Sequence, residues 1–460
     1  MISPLDSRVM DANSESMGIS IEELMQNAGQ ALAEAVSDIA GDRRVLFVCG
    51  GGNNGGDGYV AASILGSDVV RLSDPKTKVT RKRMEQIMGH VHNYEEGCIN
   101  GYGVIVDCAL GTGAEGTPRG NYASFIKELN SSGKFVISAD VPSGLGTGIA
   151  VRPDVTVTFH DIKTGMTEEN CGTIIIADIG MPREAFLFVG PGDMLRYPEP
   201  GKSSHKGDNG KVLVIGGGPY TGAPAIAASA ALRTGCDIVR IASPQQSASI
   251  IAAMSPSFIV TELSCRSLCR KDLSRLSELS EAADAVLIGP GIGPGAPARS
   301  AAAEFISLCR KPMVIDADGL NAIAGKDMVF SLPAVLTPHR GEMARLLGRE
   351  PDDETVMAFA KRTGSVVLLK GRVDMITDGT RVRYNRTGCA AMTVGGTGDA
   401  LAGSVAGLMS KGMGAFDAAC LAAYICGLAG ERAFDRLSYG MTAPDVVESI
   451  PRVLKRCLKR

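Results

Sequence analysis

The sequence predicts two tandem α/β domains, each built on a mainly parallel sheet, and three observations lead to that expectation. A chain of 460 residues is too long for one ordinary core. Short apolar strands alternate with helical stretches in both halves, the pattern of strands joined by crossover helices. Two glycine-rich loops, "GGGNNGGDGYVAA" from Gly50 and "GGTGDALAG" from Gly395, each run into a helix of small residues.

Met1 to Ala40 reads as helix, with Ser20 and Glu23 spaced as a capping box ahead of "IEELMQNAG". "RVLFVCG" is then a buried strand, "GGDGYVAASIL" a turn into a helix, and "GVIVDCALG" a second strand. "YASFIKELNSS" is helical, "KFVISADVPSG" a third strand with a polar tip, and "DVTVTFH" and "GTIIIADIG" are closing strands. The first domain is expected to end near Gly190. "GPGDMLRYPEPGKSSHKGDNG" has no period and is rich in Gly, Pro and Ser, so a linker is placed over roughly 190–206 and the domains are drawn as 1–198 and 199–460. The second run continues with "GKVLVIGGG", "GAPAIAASAALRTG", "DIVRIAS", "AVLIGPG", "PMVIDADGLNAI", "AVLTPH" and "SVVLLKG". Loop lengths differ between the halves, so they read as a fusion of unrelated units rather than a repeat.

Composition narrows the function classes. A net charge of −3 gives no electrostatic reason for nucleic acid or an anionic membrane as partner. The basic end "RVLKRCLKR" reads as a solvated helix terminus. Twelve cysteines without a C-x-x-C pair imply a reduced, cytoplasmic protein. Cys265 and Cys269 lie in a stretch of helical period and read as thiols rather than metal ligands, and His90 and His92 lack the partners a zinc site needs. No apolar run reaches the length of a membrane span.

A glycine turn between strand and helix lets backbone N–H groups approach a phosphate, although glycines there also serve packing alone. The first loop lacks the G-x-G-x-x-G order, and no acidic residue ends a second strand where a ribose partner would be expected, so a plain dehydrogenase is disfavoured. Asp107 beside a second glycine turn, and Asp140 with Ser143, stand at strand tips where acid/base chemistry or a monovalent cation would use them; either Asp alone could be a helix cap.

"ELMQNAG", "GGGNNGGDGYVAA", "VDCALGTGAEG", "DVPSG" and "TVTFHDIKTGM" together resemble the NAD(P)H-hydrate epimerases, whose domain is Rossmann-like with three layers. The resemblance implies that Asn53, Asn54, Gly55, Gly56 and Asp57, with Gly111, Thr112, Gly113, Ala114, Glu115, Gly116 and Thr117, hold a hydrated dinucleotide. It implies potassium (K+) at Asn54, Asp107 and Ser143, and Asp140 as the catalytic, substrate-contacting carboxylate with Lys163 as a polar partner. The segment after "DVPSGL" is shorter than is usual in the family, which bears on that loop.

In the second loop Asp399 stands in the first turn of a helix whose free N–H groups would stabilise phosphoryl oxygens, and a carboxylate there can accept a hydroxyl proton. "HKGDNGKVLVIGGGPYTGAPAIAASAALRTG", "LIGPGIG", "VIDADGLNAI", "LTPHRGEMARLLG" and "VVLLKGRVDMI" resemble the ADP-dependent NAD(P)H-hydrate dehydratases of the ribokinase-like superfamily. That resemblance implies substrate contacts from Ala223, Gly293, His339 and catalytic Asp399, and a nucleotide held by Lys370, Gly371, Arg372, Val373, Asp374 and Gly398. It implies Mg2+ with ADP as phosphoryl donor. Arg340 replaces a proline usual in the family, while His339 and Glu342 are kept. The expected activity is epimerisation of hydrated NADH and NADPH (NADHX and NADPHX) at C6 with ADP-dependent dehydration of the S form, in a homo-oligomer. The competing readings are a vitamin-precursor or sugar kinase with an appended domain of other function, and a nucleotide-binding regulatory or scaffold protein whose N-terminal half has lost catalysis.

Overall fold

The computed structural model describes residues 1–87 and 90–458 and separates into two compact units, Met1–Ala185 and Phe186–Arg460. In the first unit, β1 (Val45–Cys49), β2 (Asp68–Arg71), β3 (Val91–Asn93), β4 (Val104–Cys108), β5 (Phe135–Ala139), β6 (Val155–Phe159) and β7 (Thr173–Ala177) form a sheet in the order 3-2-1-4-5-6-7. Every pairing is parallel. Apolar layers cover both faces, so β4 and β6 are buried along their whole length, Asp107, Thr156 and Thr158 included.

Strand order reverses at β1: the chain leaves it toward β2 and later returns to its other side as β4. Ligands in such sheets bind in the crevice beyond the strand ends at that reversal. The glycine loop after β1 and the turn after β4 both open there. Gly55 is fixed by packing, since a side chain on it would run into the Gly50 carbonyl oxygen. β2 and β3 escape sequence reading because "DVVR" and "VHN" are too short for a period. The expected N-terminal helix is two, Pro4–Ser16 and Ile21–Ala40, parted at Gly18, and the Ser20 hydroxyl accepts from the Glu23 N–H as its cap.

The second unit carries β8 (Lys211–Ile215), β9 (Ile238–Ser243), β10 (Ile259–Glu262), β11 (Ala285–Ile288), β12 (Met313–Ile315), β13 (Ala334–Leu336), β14 (Val366–Leu369), β15 (Asp374–Thr377) and β16 (Val382–Asn385), ordered 10-9-8-11-12-13-14-15-16. β8 to β14 are parallel, whereas β15 and β16 add an antiparallel edge. The order reverses again at the first strand, β8. The helix Thr397–Ser410 lies against the helix Gly222–Arg233, and Gly403 meets Ala227 so closely that any side chain would strike the Ala227 carbonyl oxygen.

The division after Ala185 falls earlier than the 198/199 boundary and the linker expected near 190–206. Phe188 bridges Tyr384 at the edge strand, and Arg383 donates to the buried Asp193 at 2.6 Å and to the Phe188 carbonyl at 2.6 Å. Residues 186–196 are thereby part of the second unit, and the exposed stretch begins only near Glu199. Cys265 and Cys269 lie in a loop rather than on the helix their spacing suggested, which starts at Leu273. Their sulfurs lie close enough to Asp272 for the three to take a metal ion, but the Asp272 carboxylate is occupied as a loop clasp by Ser264 and the Cys269 N–H. The basic end forms the last turns of the helix Ala443–Cys457, and Lys459 and Arg460 lie outside the described residues. The eleven cysteines with described side chains are free thiols. Among the described residues no helix is long and apolar enough to cross a membrane.

Candidate functional site

Each unit gathers three carboxylates around one lysine beyond its strand ends. In the first, a cavity of about 430 Å³ is lined by Asn53, Asn54 and Asp57 from the glycine loop and by Gly111, Thr112, Gly113 and Ala114 from the turn after β4. Asp140, Lys163 and Asp11 also line it. Gly55 and Gly56 are buried behind it, and Glu115, Gly116 and Thr117 extend outward as exposed loop without lining the cavity.

Asp140 follows β5 with φ at 63°, a left-handed conformation that Asp tolerates better than most residues. Its carboxylate pairs with the ammonium of Lys163, which is buried and also donates to Thr158 Oγ1 at 3.0 Å and the Phe159 carbonyl at 2.6 Å. Of the four non-glycine residues with positive φ among the described residues, Asp140 and His160 line this cavity and Ala317 sits between two aspartates of the second site, so backbone strain is concentrated where chemistry is expected.

Asp107 is fully buried and accepts four hydrogen bonds: from Ser138 Oγ at 2.9 Å, Ser143 N at 2.9 Å, Ser143 Oγ at 2.6 Å and Ala109 N at 3.2 Å. Burial pushes its carboxyl up, with these donors opposing. Ser143 Oγ also accepts from Leu110 N at 2.8 Å. Asn54 packs on Gly111, and both polar atoms of its buried amide lack a partner. Asn54, Asp107 and Ser143 thus converge on the turn 109–111. An unpartnered buried amide beside a hydroxyl and a carboxylate is a donor set that fits a cation such as potassium.

In the second unit Asp399 stands in the first turn of the helix Thr397–Ser410, after Gly396 at φ 98°. Burial and the nearby Asp316 push its carboxyl up to about 7, with Lys370 opposing and Glu342 adding. Lys370 Nζ donates to the buried Asp316 at 2.9 Å and lies against Gly398, where a side chain would crowd it. Burial alone would lower Lys370; the charges of Asp316 and Glu342 outweigh it and hold the ammonium above its ordinary range. Asp316 also accepts from Thr337 Oγ1 at 2.8 Å.

His339 caps the helix Arg340–Leu347: its Nδ1 accepts from Gly341 N at 3.0 Å and Glu342 N at 3.3 Å, and Glu342 accepts from His339 N at 2.8 Å. The ring proton therefore sits on Nε2 of the exposed imidazole. Arg340 occupies the first helical position, where proline is ordinarily favoured, and its guanidinium holds the Pro351 carbonyl at 2.9 Å instead. The loop before Ala223 packs on the turn 291–293, and Gly293 N donates to Asp318 at 2.7 Å. These contacts bring Ala223, Gly293, His339, Lys370, Gly398 and Asp399 to one end of the sheet. Gly371, Arg372 and Val373 form an exposed hairpin tip, and Asp374 is tied inward to Gly371 N and Asn385.

Sequence reading passed over Asp11, Asp316 and Asp318. The two later aspartates carried a signal, a strand ending in "DAD" like the tips at Asp107 and Asp140; Asp11 carried none, being one polar residue in a helix.

Strand-tip carboxylates, glycine loops at both sheet reversals and a helix terminus beside a lysine define a two-site enzyme acting on small phosphorylated molecules. The family model described as NAD(P)H-hydrate dehydratase matches residues 212–452, and that of the YjeF-related protein N-terminus matches residues 21–165. The chain is 42% identical to the bifunctional NAD(P)H-hydrate repair enzyme Nnr of Methanothermobacter thermautotrophicus, over 99% of this chain and 95% of that one. It is 41% identical to the same-named enzyme of Archaeoglobus fulgidus over 99% of each. Among solved structures, the ADP/ATP-dependent NAD(P)H-hydrate dehydratase of Bacillus subtilis, co-crystallised with ATP and Mg2+, is 25% identical with a TM-score of 0.51, covering 59% of this chain and 99% of that one. The chain belongs to the bifunctional NAD(P)H-hydrate repair enzymes.

Proposed function

We propose that the first unit epimerises hydrated NADH and NADPH at C6 and that the second dehydrates the S epimer, with ADP as phosphoryl donor and AMP and phosphate as products. The observation that carries the reading is the pair of three-carboxylate, one-lysine sites beyond the strand ends of the two sheets, in a chain whose two halves match the two family models.

In the second unit the hydroxyl at C6 is a poor leaving group. Asp399, with its carboxyl near 7, takes the hydroxyl proton as the oxygen attacks the β-phosphorus of ADP, and the bond to AMP breaks. Phosphate then leaves C6 as the nitrogen lone pair assists, and loss of a C5 proton restores the ring double bond. Lys370 beside Gly398 offsets charge on the moving phosphoryl group, together with the N–H groups of the Thr397–Ser410 helix. The carboxylates of Asp316, Glu342 and Asp399 are hard oxygen donors that would hold magnesium, which supplies charge neutralisation at the phosphates. Ala223, Gly293 and His339 hold the hydrated nucleotide, and Lys370 to Asp374 with Gly398 hold ADP; the inward ties of Asp374 support a role in shaping that hairpin.

In the first unit Asn53 to Asp57 and Gly111 to Thr117 hold the dinucleotide and Asp140 acts on the ring. Asn54, Asp107 and Ser143 would hold potassium, which supplies positive charge beneath the glycine loop. Free thiols support a reducing, cytoplasmic setting, and exposed Ile250 and Met254 support self-association into a homo-oligomer.

The test follows dihydronicotinamide absorbance as a mixture of both NADHX epimers meets the protein with Mg2+, K+ and either ADP or ATP. Full conversion with ADP is expected. Conversion halting at the R epimer would remove the first unit's role, and no conversion with either donor would remove both.

A further inference from the structure

The first unit's cavity contains a carboxyl that the reading above does not use. Asp11 projects from the helix Pro4–Ser16 into the cavity that Asp140, Asp57 and Lys163 also line. Among the described residues its carboxylate accepts no hydrogen bond and makes no ion pair. Burial raises it to about 6, with Asp140 adding and Lys163 opposing.

The chemistry at C6 requires two proton-handling groups. C6 bears both nitrogen and oxygen, so its inversion parallels inversion at a sugar's anomeric carbon, where one carboxylic acid protonates the departing oxygen while a second carboxylate activates water on the other face. Asp140 is paired with the Lys163 ammonium, which places it as the base in the R-to-S direction. Asp57 is the less suited partner acid: burial, with Asp140 and Asp11 adding, pushes its carboxyl well up, which favours holding a proton over giving one. His160 is held toward the neutral form by burial, and the remaining charged groups of the wall, Arg8 and Lys76, are not carboxyls. Asp11 is left as the group able both to give and to regain one.

We propose that Asp11 is the second catalytic carboxyl of the first unit, exchanging a proton with the C6 oxygen while Asp140 exchanges one with the water on the opposite face. The proposal rests on the epimerase reading. The Asp11 proton passes to the C6 hydroxyl, the C6–O bond breaks with its electrons leaving on water, and the N1 lone pair forms N1=C6. Water then adds to the other face, the π pair returns to N1, and the added water's proton goes to Asp140. Solvent returns a proton from Asp140 to Asp11, and the reverse reaction uses the same groups in exchanged roles.

The test uses the full chain and the isolated R epimer without ADP, following appearance of the S epimer by chromatography. Asp11→Asn is expected to lower kcat by roughly 10²–10⁴-fold with KM little changed. Wild type should lose rate as pH rises through about 6, where Asp11 gives up its proton, and Asp11→Glu should recover part of the rate and keep that limb. Unchanged thermal unfolding of Asp11→Asn excludes a folding defect. Asp11→Asn at near wild-type kcat would overturn the role of Asp11 alone. A wild-type chain that fails to epimerise at all would overturn the epimerase reading and this inference with it.

Discussion

The two sites share a charge plan and differ in where its titrating member is carried. Asp11, Asp57 and Asp140 surround Lys163 in one; Asp316, Glu342 and Asp399 surround Lys370 in the other. In each the lysine is spent on one carboxylate, Asp140 or Asp316, which leaves another raised toward neutrality, Asp11 to about 6 and Asp399 to about 7. In the second unit the raised carboxyl sits on the glycine loop itself. In the first it arrives from the helix Pro4–Ser16, ahead of every strand. A glycine loop therefore marks where a ligand lies without marking which residue moves its proton.

The largest expected effect that separates the two sites is on stability. Asp316 is almost wholly buried, so Lys370→Met strands a buried charge and should cost about 3–5 kcal/mol in urea unfolding. Asp140 borders an open cavity where water can take the lysine's place, so Lys163→Met should cost clearly less. Equal losses would break the distinction between a carboxylate that is almost wholly buried and one that borders a cavity.

How much of this was legible follows from the same contrast. The parallel sheets were readable because buried strands such as "VLFVC" and "VVLL" are unbroken apolar runs, and Asp107, Asp140 and Asp399 because they end strands or open a glycine loop. Asp11 was not, since its role is set by which helix closes the cavity, a tertiary fact with no local signal. The early domain boundary was hidden likewise: the Pro/Gly-rich segment near 190 looks like linker until Arg383, almost two hundred residues on, is seen to clasp Asp193. The hairpin of β15 and β16 was missed because four-residue strands give too short an alternation.

A smaller effect sharpens the account of Asp399. A carboxyl held near 7 in the folded chain and near 3.8 unfolded binds more protons when folded between those values, so its contribution to stability falls as pH rises through that window. Asp399→Asn should therefore unfold a few degrees above wild type at pH 8 and at the same temperature at pH 3.5. A variant less stable at pH 8 would mean that Asp399 is held by a favourable partner rather than strained by its neighbours.

The most direct measurement of the central claim, two independent sites acting on one substrate, gives Asp140→Asn and Asp399→Asn the same mixture of NADHX epimers with ADP, Mg2+ and K+ and resolves both epimers and NADH by chromatography. Asp140→Asn should consume the S form and leave the R form, while Asp399→Asn should interconvert the epimers and form no NADH. Loss of both reactions in either variant at unchanged thermal stability would contradict separate sites, as would NADH formation by Asp399→Asn at the wild-type rate.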